Sequence, residues 1–135
     1  MSAASSQRIL GRDPSTGRGI AITIEGGLIK AIEFVDHGEK QWLSAGFVDL
    51  QVNGYAGHDL NGLTLDITTV QALCQAMLKV GVTTFLPTII TAPEARICAA
   101  LKAIREARAQ YPEVAAMVAG IHVEGPHIAP EDGPR

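Results

Sequence analysis

The run Phe47-Val48-Asp49-Leu50-Gln51-Val52 enters Asn53-Gly54 and opens the part of the chain that decides the fold. It is short and mostly apolar, as a buried strand is. Asp66 then stands where it can cap a helix whose Ile67, Val70, Leu73, Cys74, Met77 and Leu78 fall on one face. Gly81 closes that helix as a left-handed residue after its last turn. Val82 to Ile90 is rich in β-branched residues and reads as a second strand, with Pro87 marking a strand end or a bulge. Thr91-Ala92-Pro93-Glu94 fits a capping box. Ile97, Ala100, Leu101, Ile104 and Ala107 supply the stripe of a second helix, which Pro112 ends. Val118 to Val123 is a third strand. Strand, helix, strand, helix, strand with short loops predicts an α/β fold with parallel strands and right-handed crossovers.

Upstream of Gly46 the pattern differs. The first 19 residues are polar and turn-rich, and Asp13-Pro14-Ser15-Thr16-Gly17 reads as a loop. Ile20 to Ile24 and Leu28 to Phe34 flank Gly26-Gly27 as a β-hairpin. Asp36 to Lys40 is a charged turn, and Trp42-Leu43 begins another short strand. The segment 1–45 is too small to own a core, so it is expected to pack onto something else. Segment 46–135 carries the alternating strands and helices.

The whole has 135 residues, 47% hydrophobic and 19% charged, a composition that builds a core and excludes intrinsic disorder. A net charge of -3 and 4% aromatic residues argue against phosphate neutralisation and base stacking, so no nucleic-acid partner is expected. No apolar run approaches the roughly 20 residues that span a bilayer. The start of the chain lacks the order of a signal peptide, and a cytoplasmic location is expected. Cys74 and Cys98 form no C-x-x-C pair and read as buried core residues in a reducing compartment.

In parallel α/β folds, functional side chains gather at the carboxyl ends of strands. That rule selects Asp49 to Gly57 and His122-Val123-Glu124-Gly125-Pro126-His127. Two-residue spacing puts Asp49, Gln51 and Asn53 on one face, and His122 and Glu124 on one face. Polar side chains there need partners, so a cluster that merely ties loops together explains them equally well. His-x-Glu also occurs in zinc deaminases, but their P-C-x-x-C is absent. One imidazole and one carboxylate fall short of the roughly four ligands of a stable zinc site. His37 and His58 read as surface residues in turns, and His127 as a structural or solvent-facing one.

Together the blocks form a recognisable set. Ala45-Gly46-Phe47-Val48-Asp49-Leu50-Gln51-Val52-Asn53-Gly54 resembles the P-G-F-[IV]-D-x-Q-x-N-G block of the N-acetylglucosamine-6-phosphate deacetylase family, with Ala45 in place of its proline. Gly81 to Thr88 is similar to its G-x-T-x-[FY]-x-P-T segment, and Gly120 to Ile128 to its G-x-H-x-E-G-P-[FW]-[IL] block. Order and spacing agree from about Gly26 to Arg135. The family belongs to the amidohydrolase superfamily, so the resemblance implies the amino-terminal part of a metal-dependent (β/α)₈ barrel, about three strands, in 46–135. It also implies that the hairpin of 1–45 contributes to a small β-sandwich.

The implied reaction removes acetate from N-acetyl-D-glucosamine 6-phosphate, with a metal-activated water attacking the amide and a late aspartate moving the proton. Glu124 matches the family's glutamate ligand to one divalent cation, zinc or ferrous iron. Gln51 and Asn53 match the positions of a His-x-His pair in binuclear relatives, which implies a single metal supported through water or hydrogen bonds. His122 is assigned to support of the same site or to structure. No catalytic residue of the family can be matched within the chain: its aspartate, two metal-binding histidines and phosphate contacts would follow Arg135. The partner implied is a small amino-sugar phosphate, and the full-length parent is expected to be a homo-oligomer. Other amidohydrolases, such as dihydroorotase-like enzymes, normally keep His-x-His, which Gln51-x-Asn53 disfavours. A non-catalytic fragment or interaction module, and a small α/β binding domain without amidohydrolase kinship, are the alternatives from other classes.

Overall fold

The computed structural model describes residues 6–36, 38 and 40–125. His37 and His127, and the segment from Glu131 to Arg135, lie outside them. The chain divides into two compact units, 1–45 and 46–135.

The first unit is a three-stranded antiparallel sheet of order β1-β2-β3: β1 Ser6–Arg12, β2 Gly19–Glu25 and β3 Leu28–Phe34. The hairpin about Gly26-Gly27 forms as its alternation requires, with both glycines at positive φ. The turn-rich reading is corrected for Ser6–Arg12, which pairs along its whole length with β2, while Asp13 to Gly17 forms the expected loop, with Gly17 N donating to Asp13 O at 2.8 Å. Its Arg8, Gly11 and Arg12 carry little strand propensity, and pairing with β2 overrides it. Ile9, Ile22 and Ile32 stand opposite one another across the three strands, on one face of the sheet. Trp42-Leu43 does not become a strand. Trp42 makes a single bridge to Arg12, with Leu43 N donating to Arg12 O at 2.9 Å.

The second unit holds a parallel sheet of order β4-β7-β8, from β4 Phe47–Val52, β7 Val82–Ile89 and β8 His122–Val123. A two-stranded hairpin, β5 Gly54–Tyr55 with β6 His58–Asp59, follows β4. Helix α1 Ile67–Lys79 joins β4 to β7, and α2 Glu94–Gln110 with α3 Pro112–Met117 joins β7 to β8. Asp66 Oδ1 accepts Thr69 N at 2.7 Å and caps α1, while Gly81, at φ 84°, ends the turn beyond it. Gly46 lies so close to Thr83 that any side chain there would overlap it, which explains a glycine at the start of β4.

Val52, Leu73, Cys74, Met77, Phe85, Ile89, Ile104 and Val114 belong to one buried core between this sheet and the helices. Several sequence expectations are revised here. Leu78 lies at the rim of its helical stripe and is 45% exposed. Cys98 is exposed and only Cys74 is buried, because Cys98 lies off the α2 stripe of Ala100, Ala103, Ile104 and Ala107. The capping box does not form. Pro93 is the cap residue without a side-chain bond, and Thr91 Oγ1 instead donates to Gly125 O at 2.6 Å. Pro112 follows the end of α2 but also starts α3, where a proline at the first position costs no hydrogen bond. The third strand shrinks to His122-Val123, with Val118 making only a bridge to Phe85.

Candidate functional site

β4, β7 and β8 run parallel, so their carboxyl ends share one edge of the sheet. Gln51 and Asn53 stand at the end of β4, Thr88 to Thr91 at the end of β7, and His122 to Gly125 at the end of β8. Loops reach this edge without interrupting the ladder, which is why polar side chains collect there.

The alternation expected along β4 does not hold. Asp49 pairs with Phe85 and Val52 with Pro87, so three residues on β4 span two on β7. This bulge puts Asp49 and Val52 on the same side of the sheet. Leu50 and Gln51 are both exposed, and the proposed shared face of Asp49, Gln51 and Asn53 is therefore broken at Gln51. Asp49 Oδ1 instead accepts the backbone N–H of Gln51 at 3.1 Å, within the bulge. Pro87 does stand opposite the irregularity, where Val52 resumes the pairing.

The bulge leaves Gln51 able to reach across β7. Gln51 Nε2 donates to Glu124 Oε2 at 2.9 Å, joining side chains 73 residues apart. The backbone of Glu124 is fixed too, since its N–H donates to Ile89 O at 2.8 Å and prolongs the β7–β8 ladder. Thr91 Oγ1 ties the following Gly125, whose φ of 55° turns the chain out of the strand. His122 pairs with the buried Thr88 one ladder step before Glu124. His58 lies in β6 opposite Tyr55, away from these contacts. Among the described residues, no group of three or more His, Cys, Asp or Glu side chains lies together as a metal cluster. Glu124 is thus one oxygen donor, and its Oε1 accepts no hydrogen bond among the described residues.

One contributor went unread in the sequence: Asn61. Its side chain bonds Thr88 O, Ile90 N and, at 3.4 Å, Asn53 O. A single asparagine in a loop carries no periodic signal, and only the folding of that loop onto β7 brings it to the strand ends.

Known proteins are similar to this chain in sequence and in structure. N-acetylglucosamine-6-phosphate deacetylase of Haemophilus influenzae is 42% identical over 89 residues, 66% of this chain and 22% of that protein. The solved structure of N-acetylglucosamine-6-phosphate deacetylase from Pasteurella multocida superposes with a TM-score of 0.68 at 35% identity, over 83% of this chain and 31% of that one. This chain is related to the N-acetylglucosamine-6-phosphate deacetylases, over their amino-terminal portion. No protein-family model matches it. A further relative, N-acetylgalactosamine-6-phosphate deacetylase of Escherichia coli O157:H7, is 35% identical over 115 residues, 82% of this chain and 30% of that protein. The chain therefore spans less than a third of the length of these deacetylases. In them, a hydrolase activity on an amino-sugar phosphate is named by the protein itself.

Proposed function

We propose that this chain is the amino-terminal part of an enzyme that hydrolyses the acetamide of N-acetyl-D-glucosamine 6-phosphate to glucosamine 6-phosphate and acetate. The observation that carries the reading is the Gln51–Glu124 hydrogen bond at the carboxyl edge of the parallel sheet, formed by residues of the two blocks that resemble those of the deacetylases. Glu124 is the residue that would hold the divalent cation, zinc or ferrous iron, through its Oε1. A carboxylate oxygen suits such a cation, whereas the neutral amides of Gln51 and Asn53 are poor ligands. Gln51 therefore serves by donating to Oε2 and fixing the carboxylate. His122, paired with Thr88 in the ladder, and Asn53, just past the end of β4, support the same edge. Bound there, the cation would supply Lewis acidity toward the amide carbonyl. The remaining ligands and the proton-moving aspartate belong to later parts of the parent, whose β4-β7-β8 sheet would be three strands of a (β/α)₈ barrel beside a β-sandwich containing β1 to β3. The same reading makes the parent a cytoplasmic homo-oligomer and leaves the 135-residue chain without turnover of its own.

The test is acetate release by the full-length parent, loaded with Zn²⁺, from N-acetyl-D-glucosamine 6-phosphate and from its galactosamine epimer. Turnover of the glucosamine compound is expected, with Glu124→Ala removing both activity and metal. Gln51→Ala is expected to weaken metal binding by about 10- to 100-fold. Absence of turnover on both sugars, or full metal loading in Glu124→Ala, would reject the proposal. Turnover only of the galactosamine sugar would change the substrate and keep the site.

A further inference from the structure

We infer that Asn61 is a positioning residue whose carboxamide takes the place of a strand residue beside β7 and so sets the reach between Gln51 and Glu124. In a parallel ladder, a residue donates its N–H to the carbonyl just before its partner and accepts the N–H just after it. Asn61 does both around Ile89 with its side chain. Nδ2 donates to Thr88 O at 3.0 Å and Oδ1 accepts Ile90 N at 2.9 Å.

The substitution has a reason in the pairing. The β4–β7 pairing ends at Val52 opposite Pro87, which leaves Thr88 O and Ile90 N–H beyond it without a β4 strand partner. Past that point the carboxamide continues the pairing, and Nδ2 also lies 3.4 Å from Asn53 O at the end of β4. On the other flank of β7, Ile89 O accepts Glu124 N at 2.8 Å. Both partners of the Gln51–Glu124 bond are thereby referred to the same short stretch, Thr88 to Ile90.

Asn61 is itself held: its N–H donates to Asp59 Oδ1 at 2.8 Å, and its carbonyl accepts Arg96 Nη2 at 2.9 Å. The carboxamide is thus anchored by its own backbone before it meets β7. Its bearing on catalysis rests on the deacetylase reading, while its hydrogen bonds do not.

The test uses the isotope-labelled chain without metal or substrate, so a failed deacetylase assay alters none of its outcomes. Asn61→Ala is expected to speed hydrogen exchange at the Ile90 amide about tenfold or more. It is also expected to move the Gln51 side-chain amide resonance toward that of free glutamine. Asn61→Asp retains an acceptor for Ile90 N–H but loses both donated bonds, so Ile90 should stay protected while the Gln51 resonance still moves. If Asn61→Ala does not fold, Asn61→Asp carries the test alone. Unchanged Ile90 exchange in a folded Asn61→Ala would overturn the strand-residue role. A Gln51 resonance that stays in place in Asn61→Asp would overturn the positioning.

Discussion

At the scale of single residues, the two cysteines show how far local pattern reaches. Both fall in apolar helical stretches, yet α1 turns Cys74 into the core and α2 turns Cys98 to solvent. Burial, with Glu113 nearby as the lesser cause, pushes the Cys74 thiol up to about 11. A thiol with so high a pKa stays protonated at neutral pH and is a poor nucleophile. With a maleimide reagent at pH 7, Cys98 is therefore expected to label rapidly in the native chain and Cys74 only after denaturant is added. Equal labelling of both in the native state would contradict the packing of α1. The carbonyl ends of β7 make the same point for polar residues. Thr91, a cap by its sequence pattern, spends its hydroxyl on Gly125 because the β8 end passes within 2.6 Å of it.

At the scale of elements, α1 was legible because its signals agree: a capping Asp66, a stripe from Ile67 to Leu78 of which only the Leu78 rim is exposed, and Gly81 after the last turn. Bonds from Thr69 N–H first, then from Thr68, hold the Asp66 carboxyl below its usual pKa of 3.8. A lowered folded pKa contributes stability that is complete above the ordinary value and is lost as pH falls through the depressed one. Asp66→Ala is expected to lower the melting temperature at neutral pH. Asp66→Asn should keep the cap at neutral pH and remove this residue's share of the acid loss below pH 3.8, measured by thermal melts across that range. A wild-type and Asp66→Asn pair with identical acid profiles would argue against the cap. β1 was not legible. Its arginines and Gly11 carry no clear strand signal, and the strand exists because β2 offers it a complete row of partners.

At the scale of the whole chain, each unit presents large apolar side chains to solvent. In the first, Leu28 is 64% and Ile32 62% exposed; in the second, Phe47 is 64% and Leu50 65% exposed. Monomeric proteins rarely leave such side chains uncovered as contiguous patches. The 135-residue chain on its own is expected to bind a hydrophobic dye in its native state and to self-associate as concentration rises, measured by fluorescence and light scattering. Replacing Leu50 with Lys should reduce the association without changing the helix signal in circular dichroism, since Leu50 lies outside the core. Concentration-independent scattering without dye binding would count against these faces being uncovered in solution.

The sequence by itself determined the hairpin about Gly26-Gly27, the parallel α/β order after Gly46, the capped helix α1 and the kinship with the deacetylases. Each of these depends on neighbours in the chain or on blocks of fixed spacing, which are local properties. Only the tertiary structure decided which polar side chains meet. A bulge in β4 separates Gln51 from Asp49 and lets it reach Glu124, and the loop before α1 lays Asn61 along β7. Bulges and side-chain bonds between distant segments leave no periodic trace, because they are set by how two strands register and not by what either strand contains.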